Sequence, residues 1–171
     1  MATISRRRLL GAAAFLPFGT ALGACAPRSK FRDYRGPGVS TVLVFKGRRR
    51  LYLMHGTETL RAFDIELGSD PVGHKAMEGD GKTPEGSYWI DRRNPNSAYH
   101  LSIGISYPNA ADLARAEALG VEPGGDIFIH GTPREMRRNE DWTAGCIAVD
   151  DREMEDVYAM VQDGTPIHIF A

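Results

Sequence analysis

The sequence contains little cysteine: only two of its 171 residues are cysteines, Cys25 and Cys146. This excludes a disulfide-rich scaffold, and without a CxxC or HExxH motif there is no closely spaced ligand set for zinc. The formal net charge is only −1, which provides no electrostatic basis for binding nucleic acid. We therefore expect no metal, no cofactor and no nucleic-acid partner.

The sequence also lacks an apolar run long enough to span a membrane. An uncharged stretch from Leu9 to Ala24 has sixteen residues and is interrupted by glycine and proline, whereas a spanning helix needs about 20 apolar residues. Three arginines, residues 6–8, precede this stretch. A charged start before a short apolar stretch is typical of export signals, so residues 1–24 are predicted to be a signal peptide.

Short motifs in this region indicate how the protein is exported. The segment SRRRLLG resembles a twin-arginine signal, and LGAC at residues 22–25 resembles the lipobox of bacterial lipoproteins. The lipobox resemblance implies cleavage before Cys25 and lipidation of its thiol; an ordinary cleaved signal is the alternative. With Ala26 after the cysteine, we expect a membrane-anchored lipoprotein on the periplasmic face, with the outer membrane favoured over the inner.

The remaining residues have the composition of one globular domain behind a short polar segment. Residues 25–38 are polar with proline and glycine, and are predicted to be a tether. Alternating apolar residues, together with two segments of helical spacing, predict a mainly β domain with two short helices over residues 39–171. Strands are predicted at residues 39–45, 50–56, 60–68, 87–93, 99–106, 126–130, 146–149 and 165–170, and helices at 109–120 and 150–164. Residues 68–86 are rich in glycine and predict a structured loop without chemistry of its own.

A polar loop between two predicted strands is flanked by a histidine and the second cysteine. His130 ends the strand DIFIH, and Cys146 begins the strand CIAV directly after Gly145. If the strands are neighbours, we expect their ends to meet, so that the imidazole could activate the thiol. Amides near Cys146 could then form an oxyanion hole. A lone thiol in an exported protein indicates reactivity, and a buried structural cysteine is the alternative.

The same region resembles the catalytic signature of a known enzyme family. IHG followed by Thr-x-Gly-Cys-Ile-x-Val, together with GDGKTPEGSYWI, YHLSIGISYPN and GTPIHIF, resembles the L,D-transpeptidases with a YkuD-type domain, and in particular their YafK-like branch. The resemblance covers about residues 39–170. It implies a mostly β, sandwich-like YkuD fold and an enzyme that acts on the stem peptides of peptidoglycan.

The resemblance also implies roles for individual residues. Cys146 would be the nucleophile and His130 the general base. The backbone carbonyl of Gly131 would orient the imidazole. Gly145 and Thr143 would support the turn that holds the nucleophile and its oxyanion hole.

Further candidates surround this pair. His100, in the YHLS segment, could line the cleft and bind substrate. The loop between the histidine and the cysteine could hold a stem-peptide carboxylate or stack on the substrate, through Arg134, Arg137, Arg138 and Trp142. A solvated loop, with the tryptophan used for packing, is the alternative.

Three functions remain open from the sequence. An amine that resolves a Cys146 thioester would make the protein a transpeptidase, whereas water would make it an L,D-amidase. A non-catalytic, lipid-anchored module that binds peptidoglycan is the third. The commonest family signature has His and Asn where this chain has Ala144 and Ala148, so the acceptor cannot be taken from the resemblance. We expect the protein to be a monomer.

Overall fold

A computed structural model describes residues 28–171 of the chain. The predicted signal peptide and Cys25 lie outside these residues. Within the described range, no helix is long and apolar enough to cross a bilayer.

The described residues form one continuous eight-stranded sheet. The strands are β1 (Thr41–Phe45), β2 (Arg50–His55), β3 (Glu58–Asp64), β4 (Gly86–Asn94), β5 (Ser102–Ile105), β6 (Phe128–His130), β7 (Ile147–Ala148) and β8 (Pro166–Phe170). Their order across the sheet is β3-β2-β1-β8-β4-β5-β6-β7. The first half of β4 pairs with β8 and the second half with β5, so β4 joins the two halves of the sheet.

The sheet curls because the chain after β3 returns to the opposite edge. Glu66 pairs with Ala148 of β7, and Gly68 bridges Thr143. Alternate residues of β1 and β2 are buried, as the two-residue period of a strand requires. Apolar residues from both halves of the sheet belong to one hydrophobic cluster, including Leu53 and Ile103. The mainly β fold with two helices that the sequence predicts is confirmed.

The first helix, α1 (Ala110–Leu119), lies between β5 and β6 and has the predicted caps. The Asn109 side chain accepts hydrogen bonds from the amides of Ala111 and Asp112, and Gly120 ends the helix with φ of +68°. An asparagine at the start satisfies amides that have no partner in the first turn. A glycine at the end adopts the left-handed backbone without a steric penalty.

The second helix, α2 (Asp151–Met160), ends four residues before the predicted boundary at residue 164. Val161 already has an extended backbone and is fully buried. Arg93 of β4 donates to the carbonyls of Tyr158 and Val161, which supplies partners that a longer helix would have provided. The helical spacing of apolar residues reaches Val161 and a glycine follows at residue 164, so the pattern alone placed the end later than the structure does.

Part of the predicted tether contacts the domain. We call residues 30–34 the strap. Lys30 donates to two backbone carbonyls of the segment between β4 and β5, and Arg32 pairs with Glu155 and Asp156 of α2. These partners lie 65 to 124 residues away along the chain. Residues 30–34 are therefore not a free tether.

Candidate active site

His130 closes β6 and lies at the base of a cleft. The residue is only 4% exposed, and its Nδ1 is 2.7 Å from the carbonyl oxygen of Gly131. Since a carbonyl can only accept, the proton lies on Nδ1 and Nε2 is left as the acceptor. Gly131 has little room for a side chain, because an added Cβ would lie 2.9 Å from the backbone carbonyl oxygen of Tyr99 and 2.5 Å from a carboxylate oxygen of Asp151. The backbone here fixes both the tautomer and the orientation of the ring.

Cys146 directly precedes β7, the strand beside β6. In the parallel register of these strands, His130 pairs with Ala148. Cys146 is thus level with Phe128, and the two-residue alternation of side chains puts it on the same face as His130. Both side chains line one cleft. The strands are neighbours as expected, but because they are parallel, the end of β6 does not meet the start of β7, and it is the shared face that places both side chains in one cleft.

Burial acts on the pKa values of both groups. Burial raises the pKa of Cys146 above its ordinary value, and the Asp126 carboxylate raises it further, although a hydrogen bond from the Phe128 backbone and the charges of Lys75 and Arg92 oppose this. Burial lowers the pKa of His130, against the effect of its bond to the Gly131 carbonyl. The thiol donates to the carbonyl of Asp126 at 3.5 Å. At neutral pH the resting pair is therefore an uncharged thiol and an uncharged imidazole.

The turn before the nucleophile is held by Thr143. Its hydroxyl donates to the carbonyl of Cys146 at 2.7 Å and accepts from the amide of Gly145 at 3.1 Å. The residue is 5% exposed. The Gly145 amide is thus already used within the turn. It supports the turn, and it is not a free donor for an oxyanion. Thr143 and Gly145 together fix the backbone that carries Cys146.

The glycine-rich loop, residues 68–86, packs directly against this turn. Gly145 has φ of +127°, and an added Cβ would lie 2.6 Å from the carbonyl oxygen of Lys82. Within the loop, Asp80 accepts from the Lys75 ammonium at 2.9 Å and from the Lys82 amide at 3.0 Å, and also from the amides of residues 76 and 77. From the sequence periodicity we expected this loop to take no part in the site. Its glycines are the signal for close backbone packing that could have suggested one.

Two aromatic rings flank the imidazole in the cleft, whose volume is about 460 Å³. Tyr99 stacks on His130 with ring centroids 4.6 Å apart at 25°. Trp142 lies edge-on to His130 at 5.6 Å, and its buried Nε1 has no hydrogen-bond partner among the described residues. Trp142 was a sequence candidate, whereas Tyr99 was missed in favour of its neighbour His100.

The other sequence candidates lie away from the Cys146–His130 pair. The His100 ring faces α2, where its Nε2 lies 3.2 Å from Glu155, and it does not line the cleft. Arg137 borders a separate cavity of about 230 Å³ and reaches Asp151 at 3.5 Å. Arg134 and Arg138 are exposed and are not part of the cleft wall. Within residues 28–171, no group of three or more His, Cys, Asp or Glu side chains is arranged to hold a metal ion.

Comparisons with known proteins agree on one family. The YkuD domain, described as the L,D-transpeptidase catalytic domain, matches residues 40–169. YafK of Escherichia coli (strain K12), which carries a provisional L,D-transpeptidase name, is 31% identical over 126 residues, covering 70% of this chain and 46% of YafK.

Solved structures give the same fold. The helical cell shape determining protein Pgp2 from Campylobacter jejuni matches with a TM-score of 0.63 and 30% identity, over 80% of this chain and 49% of that one. Bd1075 of Bdellovibrio bacteriovorus matches with a TM-score of 0.58 and 24% identity, over 78% of this chain and 48% of that one, and shows the fold alone. The chain spans just under half the length of these relatives.

Proposed function

Because the chain belongs to the YkuD family of L,D-transpeptidase catalytic domains, we propose that it is a cysteine-dependent L,D-transpeptidase acting on peptidoglycan stem peptides. One observation carries the proposal. Cys146 and His130 lie on the same face of neighbouring parallel strands and line one cleft, while the Gly131 carbonyl leaves Nε2 of His130 as the proton acceptor. A thiol with a correctly held base is the arrangement that nucleophilic acyl transfer requires.

The first half-reaction forms an acyl-enzyme. His130 Nε2 takes the proton from Cys146 Sγ, and the sulfur attacks the carbonyl carbon of the amide between the diamino-acid residue at position three and the D-residue at position four. The carbon–nitrogen bond then breaks, and His130 returns the proton to the leaving amine. The products are a free D-residue and a thioester on Cys146.

The second half-reaction transfers the acyl group to an acceptor. An acceptor amine gives a proton to His130 and attacks the thioester carbon, so that an amide forms and the Cys146 thiol is restored. Among the described residues that line the cleft, Glu135 is the only carboxylate. A carboxylate at this wall attracts the ammonium form of an amine acceptor, and the amine becomes a nucleophile once it has lost its proton.

Product analysis tests the proposal and separates the alternatives. The purified protein is incubated with disaccharide tetrapeptide, with and without an amine acceptor, and products are read by mass spectrometry. A cross-linked product that requires both Cys146 and the acceptor supports a transpeptidase. Loss of the fourth residue by hydrolysis alone, whatever acceptor is present, identifies an L,D-amidase. No turnover by wild type, in a sample that still binds the tetrapeptide, identifies a binding module.

We also propose that the protein is exported and anchored through a lipid on Cys25. The motifs of residues 1–25 support this, and the strap limits the distance between the domain and the lipid-bearing residue. Lys30 follows Cys25 by five residues, so a docked strap would hold the domain within about 17 Å of the lipid-bearing residue at full extension. Palmitate labelling and fractionation of wild type and Cys25→Ala test the anchor. A wild-type protein that takes up no label and stays in the soluble fraction would contradict it.

A further inference from the structure

The strap is held by charged side chains that contact two parts of the domain. Lys30 Nζ donates to the carbonyl of Pro95 at 2.6 Å and to the carbonyl of His100 at 3.0 Å. Arg32 pairs with Glu155 at 2.8 Å and with Asp156 at 2.5 Å. The strap therefore reaches both the segment that precedes β5 and the outer face of α2.

Both contacts converge on His100. Lys30 binds its backbone carbonyl, and Glu155, which Arg32 holds, binds its ring at 3.2 Å. Glu155 is only 8% exposed. Burial works against its ionisation, but hydrogen bonds from Arg32 and His100 outweigh burial and lower the pKa of Glu155. The carboxylate is thus an ionised link between strap and histidine.

His100 requires such support because its backbone is strained. Its φ is +69°, a left-handed conformation that costs a residue with a side chain about 1–2 kcal/mol. Residues in this conformation persist where the surrounding contacts hold them. For His100 those contacts include Lys30 on the carbonyl and Glu155 on the ring.

The residue before His100 contacts the catalytic base. The Tyr99 ring stacks on the His130 imidazole at 4.6 Å, and the Tyr99 carbonyl accepts from the amide of Gly131 at 3.0 Å. Gly131 is the residue whose own carbonyl fixes Nδ1 of His130. Adjacent residues therefore connect the strap on one side to the orientation of the imidazole on the other.

We propose that the strap is a positioning element for the catalytic base: Lys30 and Arg32 fix His100, directly and through Glu155, and thereby keep the Tyr99 ring against His130. The catalytic part of this statement rests on the proposed function. Release of the strap frees His100 to leave its strained backbone, moves Tyr99, and exposes the imidazole. The segment that joins the domain to the predicted anchor thus sets the state of the active site.

Histidine NMR titration at physiological ionic strength tests the strap without relying on turnover. The titratable groups near the His130 ring are Tyr99, Glu135 and Cys146 in the cleft, and Asp151, which lies against Gly131. At an ionic strength of 0.15 M the Debye length is about 8 Å, so the ion pairs of the strap persist while the loss of more distant exposed charges is largely screened. Lys30→Ala/Arg32→Ala and Tyr99→Ala should both raise the pKa of His130 toward 6.5.

Matched variants separate positioning from general effects. Tyr99→Phe keeps the stacked ring, and Arg35→Ala removes an exposed arginine just after the strap; both should titrate as wild type does. Glu155→Gln, which keeps the side-chain shape, should raise the pKa of His130 in the same direction. It replaces the strap double variant in the test if that variant does not fold. The acid limb of the rate of Cys146 acylation should move with the His130 pKa.

Two results are decisive. An unchanged His130 titration in a folded strap variant or in Glu155→Gln overturns the proposal. A shifted titration in a protein whose wild type forms no acyl-enzyme supports the strap and contradicts the proposed function.

Discussion

At the scale of single residues, burial holds His130 and Cys146 in their uncharged forms. The pKa of the imidazole is lowered and that of the thiol is raised. Both shifts therefore disfavour a thiolate–imidazolium pair. The base is therefore ready to accept a proton at neutral pH, and the thiolate forms only as the attack proceeds. This differs from cysteine sites in which a nearby charge keeps the thiolate formed at rest.

Alkylation kinetics test the neutral pair. In a Cys25→Ala protein, whose remaining thiol is Cys146, the rate of reaction with iodoacetamide should rise only above about pH 8.5, because burial raises the pKa of this thiol. The acid limb of turnover should lie below about pH 6.5, because burial lowers the pKa of the base. An alkylation plateau already reached at neutral pH would show a resting thiolate and contradict the neutral pair.

The Thr143 hydroxyl provides a second test at this scale. Thr143→Val keeps the shape but leaves the Gly145 amide and the Cys146 carbonyl without their partner. An unsatisfied buried polar group costs about 1–3 kcal/mol, so the free energy of unfolding should fall by about that amount and acylation of Cys146 should slow. Thr143→Ser retains the hydroxyl and should recover most of both. Denaturant unfolding measures the stability, and mass spectrometry over time measures the acylation rate. Equal values for Thr143→Val and Thr143→Ser would show that the hydroxyl does not hold the turn.

At the scale of elements, the site is formed where a parallel strand pair meets the glycine-rich loop. Alternating apolar residues were sufficient to predict the strands that carry His130 and Cys146. Their parallel register was not predictable, because it depends on the pairing of Glu66 with Ala148 and of β6 with β5. Tyr99 was missed for a related reason. The YHLS segment has the pattern of a strand, but the left-handed backbone of His100 interrupts the extended conformation, and β5 begins only at Ser102.

Asp80 should control the stability of the loop and its pH dependence. Burial opposes its ionisation, but hydrogen bonds from Lys75 and from three backbone amides lower its pKa to about 2, below the usual value of about 3.9. Because the folded pKa is the lower one, this stabilisation is complete above about pH 4 and is lost as the pH falls toward 2. Asp80→Asn should lower the free energy of unfolding at pH 7 and flatten its decline below pH 4.

A neighbouring carboxylate provides the control for that measurement. Asp70 also pairs with a lysine, Lys82, but its side chain is 55% exposed, and exposed ion pairs contribute little to stability. Asp70→Asn should therefore leave the unfolding curve nearly unchanged at every pH. If the Asp70 and Asp80 variants lose the same stability, the buried network around Asp80 is not what holds the loop.

At the scale of the whole molecule, the described residues form one domain, and the strap that precedes its first strand is packed against it. Composition and strand pattern predicted the domain from residue 39 onward, and proline, glycine and charge predicted a free tether before it. The strap does not follow the prediction of a free tether, because Arg32 binds Glu155, which lies 123 residues away in the sequence. Such a contact is set by the tertiary fold, and no local pattern encodes it.

Limited proteolysis tests whether the strap stays docked in solution. Trypsin should cut the full chain readily after Arg28, which is exposed, and slowly after Lys30 and Arg32, whose side chains are partly buried. Glu155→Gln weakens the hold on Arg32 and should increase cleavage after Lys30 several-fold without changing cleavage after Arg28. Equal rates at the three sites in wild type would show that the strap is free.

The central claim is that Cys146 carries the acyl group and that His130 activates it. Intact-mass spectrometry after incubation with a carbapenem, an activated acyl donor, tests it most directly. Wild type should gain one adduct, mapped by peptide analysis to Cys146. Cys146→Ala should gain none, and His130→Ala should react about 10²–10⁴ times more slowly while keeping its circular dichroism spectrum. An adduct retained by Cys146→Ala, or an unchanged rate in His130→Ala, would contradict the assignment.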